Sequence, residues 1–156
     1  MFGLFKSDET KNWEIIKTQE LLLNLNNSSI NNLKINDIDE KVKIFGKPDN
    51  DNPFKNEKFE YKNSGLIIET EDKKINYFGI ITGNDSTVLQ IQFGEQRIKI
   101  SKESKRKDLI DSLNLSIKET DKDDSEIIDF IKQNNQTFEI ESDLNETIKR
   151  VNLYHE

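Results

Sequence analysis

The side chains of this chain that could do chemistry are mostly carboxylates, because the sequence holds 30 Asp and Glu, one histidine and no cysteine. Acidic and amide residues from Asp49 to Asn52, with Glu60 further on, match the first, third and last positions of a calcium-binding loop. Pro53, however, stands where such a loop needs a ligand, and Phe54 stands where it needs glycine. We therefore expect an ordinary loop here and no metal site.

Catalytic groups of the common kinds are also missing from the sequence. His155 is the residue before the last, where chains fray, and a thiol is absent, so the usual triads and histidine- or cysteine-rich metal sites cannot be built. The glycines stand singly, which argues against a phosphate-binding loop. We expect a protein that is not an enzyme and has no cofactor. A hydrolase that uses carboxylates alone, such as Asp49, Asp51 and Glu60, is an alternative.

The net charge indicates which partners the chain could attract. The formal charge is −7 and the isoelectric point is near 4.9, so the field of the protein repels phosphate backbones. We expect no nucleic-acid partner. A basic protein is the better candidate, because opposite charges speed encounter and suppress wrong partners. The alternative is that the charge only keeps the chain soluble.

The sequence shows no sign of export or of a membrane span. The first eight residues contain a short apolar run but no basic start, unlike a signal peptide. No run approaches the ~18 apolar residues that a membrane helix needs. We expect a cytoplasmic protein without a membrane partner.

Apolar spacing in the first half predicts strands around one helix. We expect strands at 13–17 and 21–25, with a helix as the alternative for 19–25. The spacing of Ile38, Val42 and Phe45 predicts a helix capped by Asp37 and ended by Gly46. Alternation then predicts a meander of three strands at 58–62, 66–71 and 74–82.

The second half repeats this order with an additional helix. We expect a hairpin of strands 87–93 and 96–100, then a helix at about 105–113. Ser125 resembles an N-cap before a second helix that carries Ile127, Ile128 and Ile131. The chain then ends in a hairpin of strands 137–142 and 147–154.

The segments 33–49 and 98–114 resemble each other, which indicates an internal repeat. We predict an α+β fold in which two tandem units each pack a helix on an antiparallel β-sheet meander. The predicted divisions are an N-terminal tail at 1–12, a first unit at 13–83 and a second unit at 84–156. Together they form one compact domain.

Aromatic side chains on the predicted sheets are the best candidates for binding another protein. Most of these rings should belong to the core. The alternative is an exposed aromatic patch, because one helix cannot cover both faces of a sheet, and tyrosine is common at binding hot spots. We predict a partner-binding set at the following positions: Asp51, Phe54, Tyr61, Glu69 and Tyr77.

The segment from Ile35 to Pro48 resembles the opening motif of the SmpA/OmlA-type outer-membrane assembly lipoproteins and of the β-lactamase inhibitor proteins that share their fold. Val42, Gly46 and Pro48 match that motif, and Asn36 occupies its glycine position, where it can adopt the same left-handed backbone. The chain lacks the cysteines those families use. The resemblance implies a tandem architecture and the habit of binding a protein on an open sheet.

Charge, compartment and resemblance together predict a non-catalytic protein-binding module. The favoured role is that of an immunity-type inhibitor that neutralises a toxin or an enzyme in the cytoplasm, acting as a monomer or weak homodimer. The alternative is a structural or housekeeping domain whose sheet packs against a second copy.

Overall fold

The computed structural model describes residues 9–84 and 87–156. The described residues form twelve strands, one 3₁₀ helix and two α-helices. In chain order these elements are β1 (Gln19–Asn24), β2 (Ser29–Ile30), β3 (Leu33–Lys34), the 3₁₀ helix (Asp39–Phe45), α1 (Pro53–Asn56), β4 (Lys58–Tyr61), β5 (Leu66–Glu71), β6 (Lys74–Ile81), β7 (Thr87–Phe93), β8 (Gln96–Ile100), α2 (Arg106–Leu113), β9 (Glu119–Lys122), β10 (Glu126–Gln133), β11 (Gln136–Asp143) and β12 (Ile148–His155).

These strands form two sheets. The small sheet has the order β3-β2-β1-β7-β8, and the large sheet has the order β4-β5-β6-β12-β11-β10-β9. Strands from the two halves of the chain pair in both sheets, since β1 lies parallel to β7 and β6 lies antiparallel to β12. The fold is therefore predominantly β with short helices. The two predicted helix-on-sheet units are not separate bodies, because each sheet is shared between the halves.

One hydrophobic cluster joins the inner faces of both sheets and the apolar side of α2. Alternation along each strand directs every second side chain inward. A sequence with only 33% hydrophobic residues can therefore supply a continuous core. Its largest fully buried side chains include Phe45, Phe59, Phe78, Leu21, Leu23, Ile68, Ile80 and Ile91.

The sequence patterns located most strands correctly. The meander β4-β5-β6, the hairpin β7-β8 and the final hairpin β11-β12 are confirmed. The strand over 21–25 is confirmed as β1, so the helical alternative there is wrong. The strand over 13–17 is wrong, because the carbonyl of Glu14 accepts the Lys47 N–H and the segment joins no sheet.

The first predicted helix exists as a 3₁₀ helix that begins one residue later than expected, at Asp39. Asp37 is not its cap, since the carboxylate accepts the Lys34 N–H at 2.9 Å and closes the turn after β3. Gly46 ends the helix at φ +80° as predicted, and Asn36 adopts the left-handed backbone at φ +75°. A side chain at Gly46 would also meet the Glu14 carbonyl oxygen at 2.5 Å.

The two helices predicted for the second half had different outcomes. The first is confirmed as α2, but the segment after Ser125 is strand β10. Ile127, Asp129 and Ile131 all point inward from this strand. Because Asp129 is charged, the sequence does not show the apolar alternation that is typical of a strand. The acidic residues 119–124 that precede Ser125 form β9 and a turn, so they do not start a helix.

Candidate protein-binding face

The side of the large sheet that faces away from the core is called here the outer face. Its centre lies on β6, β12 and β11, where the register sets Tyr77 beside Tyr154, Gly79 beside Asn152, and Asn152 beside Glu139. The alternate residues of the same strands, such as Phe78 and Leu153, lie in the core. The strand pairing therefore gathers polar side chains from distant parts of the sequence on one surface.

Asn152 is the hub of a hydrogen-bonded network on the outer face. Its amide nitrogen donates to Glu141 at 2.8 Å and to Glu139 at 3.2 Å. Its amide oxygen accepts from the Tyr77 hydroxyl at 2.7 Å and from Nε of Arg150 at 2.8 Å. The side chain is 3% exposed, so these bonds compensate for the burial of its polar atoms and hold the surrounding groups in place.

Two tyrosines form a platform beside this hub. The rings of Tyr77 and Tyr154 stack with centroids 6.3 Å apart and planes 24° apart. The Tyr154 hydroxyl donates to Glu139 at 2.7 Å. Burial raises the pKa of both hydroxyls above the ordinary tyrosine value, so both stay protonated donors at neutral pH.

Gly79 lets the Tyr77 ring and the Arg150 side chain lie across the sheet. A Cβ at this position would stand 2.5 Å from the Tyr77 hydroxyl oxygen and 3.0 Å from Nη2 of Arg150. These are the same two groups that hydrogen-bond each other above the strand. The absence of a side chain at Gly79 is therefore part of the geometry of the network.

The outer face carries much of the negative charge of the molecule. Alternation and register assign it nine carboxylates and four cations. The carboxylates are Glu60, Glu69, Glu71, Glu119, Asp121, Glu126, Glu139, Glu141 and Asp143, and the cations are Lys58, Lys74, Lys132 and Arg150. The outer face therefore has an excess of negative charge.

Apolar side chains flank this polar centre on both sides. Ile67 lies on β5 and Ile81 lies on β6, while Ile128 and Phe130 lie on β10. Ile81 is 49% exposed, and the other three are partly exposed. Aromatic and aliphatic side chains therefore share this surface with the carboxylates.

The structure brings together two of the five residues that the sequence predicted for binding. Glu69 on β5 and Tyr77 on β6 are direct cross-strand neighbours on the outer face. Tyr61 lies in the core at 6% exposure and donates its hydroxyl to the Gly46 carbonyl at 2.9 Å. Tyr61 is thus a core residue, because its position on β4 points inward, and its selection as a surface anchor is corrected.

The other two predicted residues lie beside α1, apart from the Asn152 network. Asp51 is exposed in the preceding loop. Phe54 is half-buried, with its ring edge-on to Trp13 at 5.7 Å and to Phe59 at 5.1 Å. The five residues therefore do not form one surface, and binding at Asp51 and Phe54 stays a prediction.

Sequence reasoning missed most of the Asn152 network. Asn152, Arg150, Glu139 and Glu141 were not selected, although both strands that carry them were predicted. The signal that could have identified the two carboxylates was the alternation in that hairpin. It places Glu139 and Glu141 on one face of the strand and Ile140 on the other. Nothing local says that β12 pairs with β6, and this pairing is what brings Tyr77 to Asn152.

In the loop that resembled a calcium site, the side chains of Asp49 and Asn50 bond to the protein backbone. The Asp49 carboxylate accepts the Lys62 N–H at 2.6 Å, and the Asn50 amide bonds the backbones of Lys58 and Glu60. These bonds cover the free edge of β4. Across residues 9–84 and 87–156, no three His, Cys, Asp or Glu side chains are grouped so that they could hold a metal ion.

A second cluster of charges lies at the start of α2. Asp129 is fully buried and receives two hydrogen bonds of 2.6 Å from Arg106, and a third of 2.7 Å from Thr120. Arg106 also donates to Glu146 at 2.9 Å. The hydrogen bonds to Asp129, with the nearby carboxylate charges, raise the pKa of Arg106 and hold it protonated. This cluster connects α2 to the large sheet.

None of the helices among the described residues has the length and apolar character needed to cross a membrane.

Comparisons with known proteins bear on the fold only. No family model matches the sequence, and none of the curated proteins matches it. The fold is similar to the crystal structure of a DUF4309 family protein, YjgB, from Bacillus subtilis subsp. subtilis strain 168. The TM-score is 0.53 at 15% identity, and the match covers 81% of this chain and 84% of that chain.

Proposed function

We propose that this protein is a non-catalytic binding module that docks a basic protein on the outer face. The observation that carries the proposal is the ordered centre of that face, where Asn152 bonds Glu139, Glu141 and Tyr77, and Glu139 in turn holds Tyr154. Groups that are already held in place lose little entropy when a partner binds, so more of the contact energy becomes affinity.

The chemistry of the partner follows from the charge of the face. Lysine and arginine side chains would find carboxylates at several points, and the Tyr77–Tyr154 platform offers aromatic faces that attract cations. The isoleucines at the flanks provide apolar area around this centre. A basic toxin or enzyme that the module neutralises in the cytoplasm is the role we favour.

The order of elements gives limited support to a duplicated origin. Each half contributes a hairpin to the small sheet, then a short helix, then antiparallel strands to the large sheet. We infer that the divisions at 13–83 and 84–156 mark two copies of this arrangement whose strands later merged. The tail at 1–12 lies partly outside the described residues.

Self-association is the second role, and two of the sheet edges, β4 and β3, argue against strong pairing. The β4 edge is covered by Asp49 and Asn50, and β3 has two residues. Copies of a chain with a net charge of −7 also repel each other. A monomer or a weak homodimer is the state we propose.

The direct test is crosslinking inside the cell of origin. A photoreactive phenylalanine analogue replaces Phe130 on the outer face in one variant and Ile44, which is 52% exposed on the 3₁₀ helix, in the control. We expect the Phe130 variant to crosslink one basic protein, and the Ile44 variant to leave that protein unlabelled. Equal labelling from both positions, or an acidic protein as the product, would contradict the proposal.

A further inference from the structure

The free edge of β8 presents backbone groups that have no partner in the described part of the chain. The Leu25 N–H donates to the Gln92 carbonyl at 2.9 Å, so this residue of β7 directs its backbone toward β1. Backbone groups alternate along a strand, so Leu89, Ile91 and Phe93 bond to β8 instead.

The register then identifies which groups of β8 are free. Ile91 is opposite Ile98, so the N–H and carbonyl groups of Arg97 and Lys99 point away from β7. Within residues 9–84 and 87–156, no backbone hydrogen bond is made to these four groups. We call them the β8 edge.

Other edges of the two sheets are protected in ways that this one is not. The backbone of Lys58 and Glu60 on β4 is bonded by Asp49 and Asn50. The Lys34 N–H on the short strand β3 is bonded by Asp37. The edge strand β9 is only four residues long and carries mostly acidic and polar side chains. The β8 edge is five residues long and has no such cover.

The side chains along the β8 edge are cationic, in contrast to the outer face. Arg97, Lys99 and Lys102 are exposed, while Glu95 and Glu103 lie in the turns at either end. Arg97 donates a hydrogen bond of 3.0 Å to its cross-strand neighbour Gln92 on β7. The edge therefore combines free backbone groups with positive charge on the solvent side.

We propose that the β8 edge accepts an extended acidic segment of another protein as an added strand. Backbone groups of the segment would pair with those of Arg97 and Lys99, and carboxylates at alternate positions would face their side chains. The remaining positions of the segment would lie on the same side as Ile98, which packs against the core. This surface is separate from the outer face and does not rest on the function proposed above.

Fluorescence anisotropy with a labelled ten-residue peptide of alternating Val and Glu tests the proposal. The full chain should bind this probe saturably, and a Val and Lys peptide should bind at least about tenfold more weakly, because cross-strand charges would then repel. The outer-face variant Glu139→Gln should bind the Val and Glu peptide like the parent chain.

Two variants locate the binding on the edge. Lys99→Pro removes an N–H that points outward and leaves the ladder to β7 intact, so affinity should fall about fivefold or more. The pair Arg97→Glu and Lys99→Glu should lower affinity more than tenfold, with circular dichroism showing that each variant is folded.

Three results would overturn the proposal. They are absence of peptide binding to the parent chain, binding that neither variant changes, and a homodimer in light scattering that Lys99→Pro dissolves. The last result would assign the edge to a second copy of this chain.

Discussion

The two polar networks of this molecule use similar side chains for different purposes. Asp129 and Arg106 meet inside the protein, where the carboxylate is fully buried and every strong partner is internal. The Asn152 network joins similar groups on the outer face, where Glu139, Glu141 and both tyrosines remain partly exposed. Burial therefore separates a network that stabilises the fold from one that a partner can reach.

Breaking the buried network should have the largest effect on stability. Arg106→Ala leaves the buried charge of Asp129 without compensation and should lower the free energy of unfolding by about 3–5 kcal/mol. Urea unfolding measures this, and Lys107→Ala, an exposed neighbour, should change it by about 0.5 kcal/mol or less. The double variant Arg106→Met with Asp129→Leu should recover most of the loss, because no buried charge then remains unpaired. A small effect of Arg106→Ala would show that the buried pair is not structural.

Disturbing the Asn152 network should lower the stability less than breaking the buried network does, and it should weaken partner binding more. Gly79→Ala places a methyl group 2.5 Å from the Tyr77 hydroxyl oxygen, so the ring must move and lose its bonds to Asn152 and Arg150. We expect a stability loss of about 1–3 kcal/mol, the range for two partly buried hydrogen bonds.

A double-mutant cycle sharpens this prediction. Tyr77→Phe removes the same hydroxyl without adding a methyl group, so its effect and that of Gly79→Ala should be strongly non-additive. Additive losses would mean that Gly79→Ala acts through the strand itself and not through the hydroxyl of Tyr77.

The sequence predicted elements well where local patterns determine them. The two meander hairpins, β7-β8 and the final hairpin follow from alternation and turn residues. The strand β10 was predicted as a helix because Asp129 occupies a core position, and a charged residue there is stable only because Arg106 reaches it from α2. A partner 23 residues away cannot be seen in a local pattern.

The candidate site was less predictable than the fold for a related reason. Tyr61 and Tyr77 look alike in the sequence, since each lies in an alternating strand, and only the packing shows that one points inward and the other outward. The Asn152 network needs the pairing of β12 with β6, two strands that lie more than sixty residues apart in the chain. Long-range pairing of this kind decides which side chains share a surface.

The central claim is that the outer face docks a basic protein, and charge neutralisation tests it most directly. Glu139→Gln with Glu141→Gln keeps side-chain oxygens that can accept hydrogen bonds and removes two negative charges. Asp108→Asn with Asp111→Asn makes the same charge change on exposed positions of α2. The α2 pair should change stability by about 0.5 kcal/mol or less. The outer-face pair should lower it by about 1 kcal/mol, because Glu139 accepts hydrogen bonds with both oxygens and a glutamine has one accepting oxygen.

With the protein crosslinked at Phe130 as ligand, the association rate should fall about tenfold at low salt for the outer-face pair and much less for the α2 pair. Equal rates for the two pairs would contradict the account, because net charge alone would then explain the attraction.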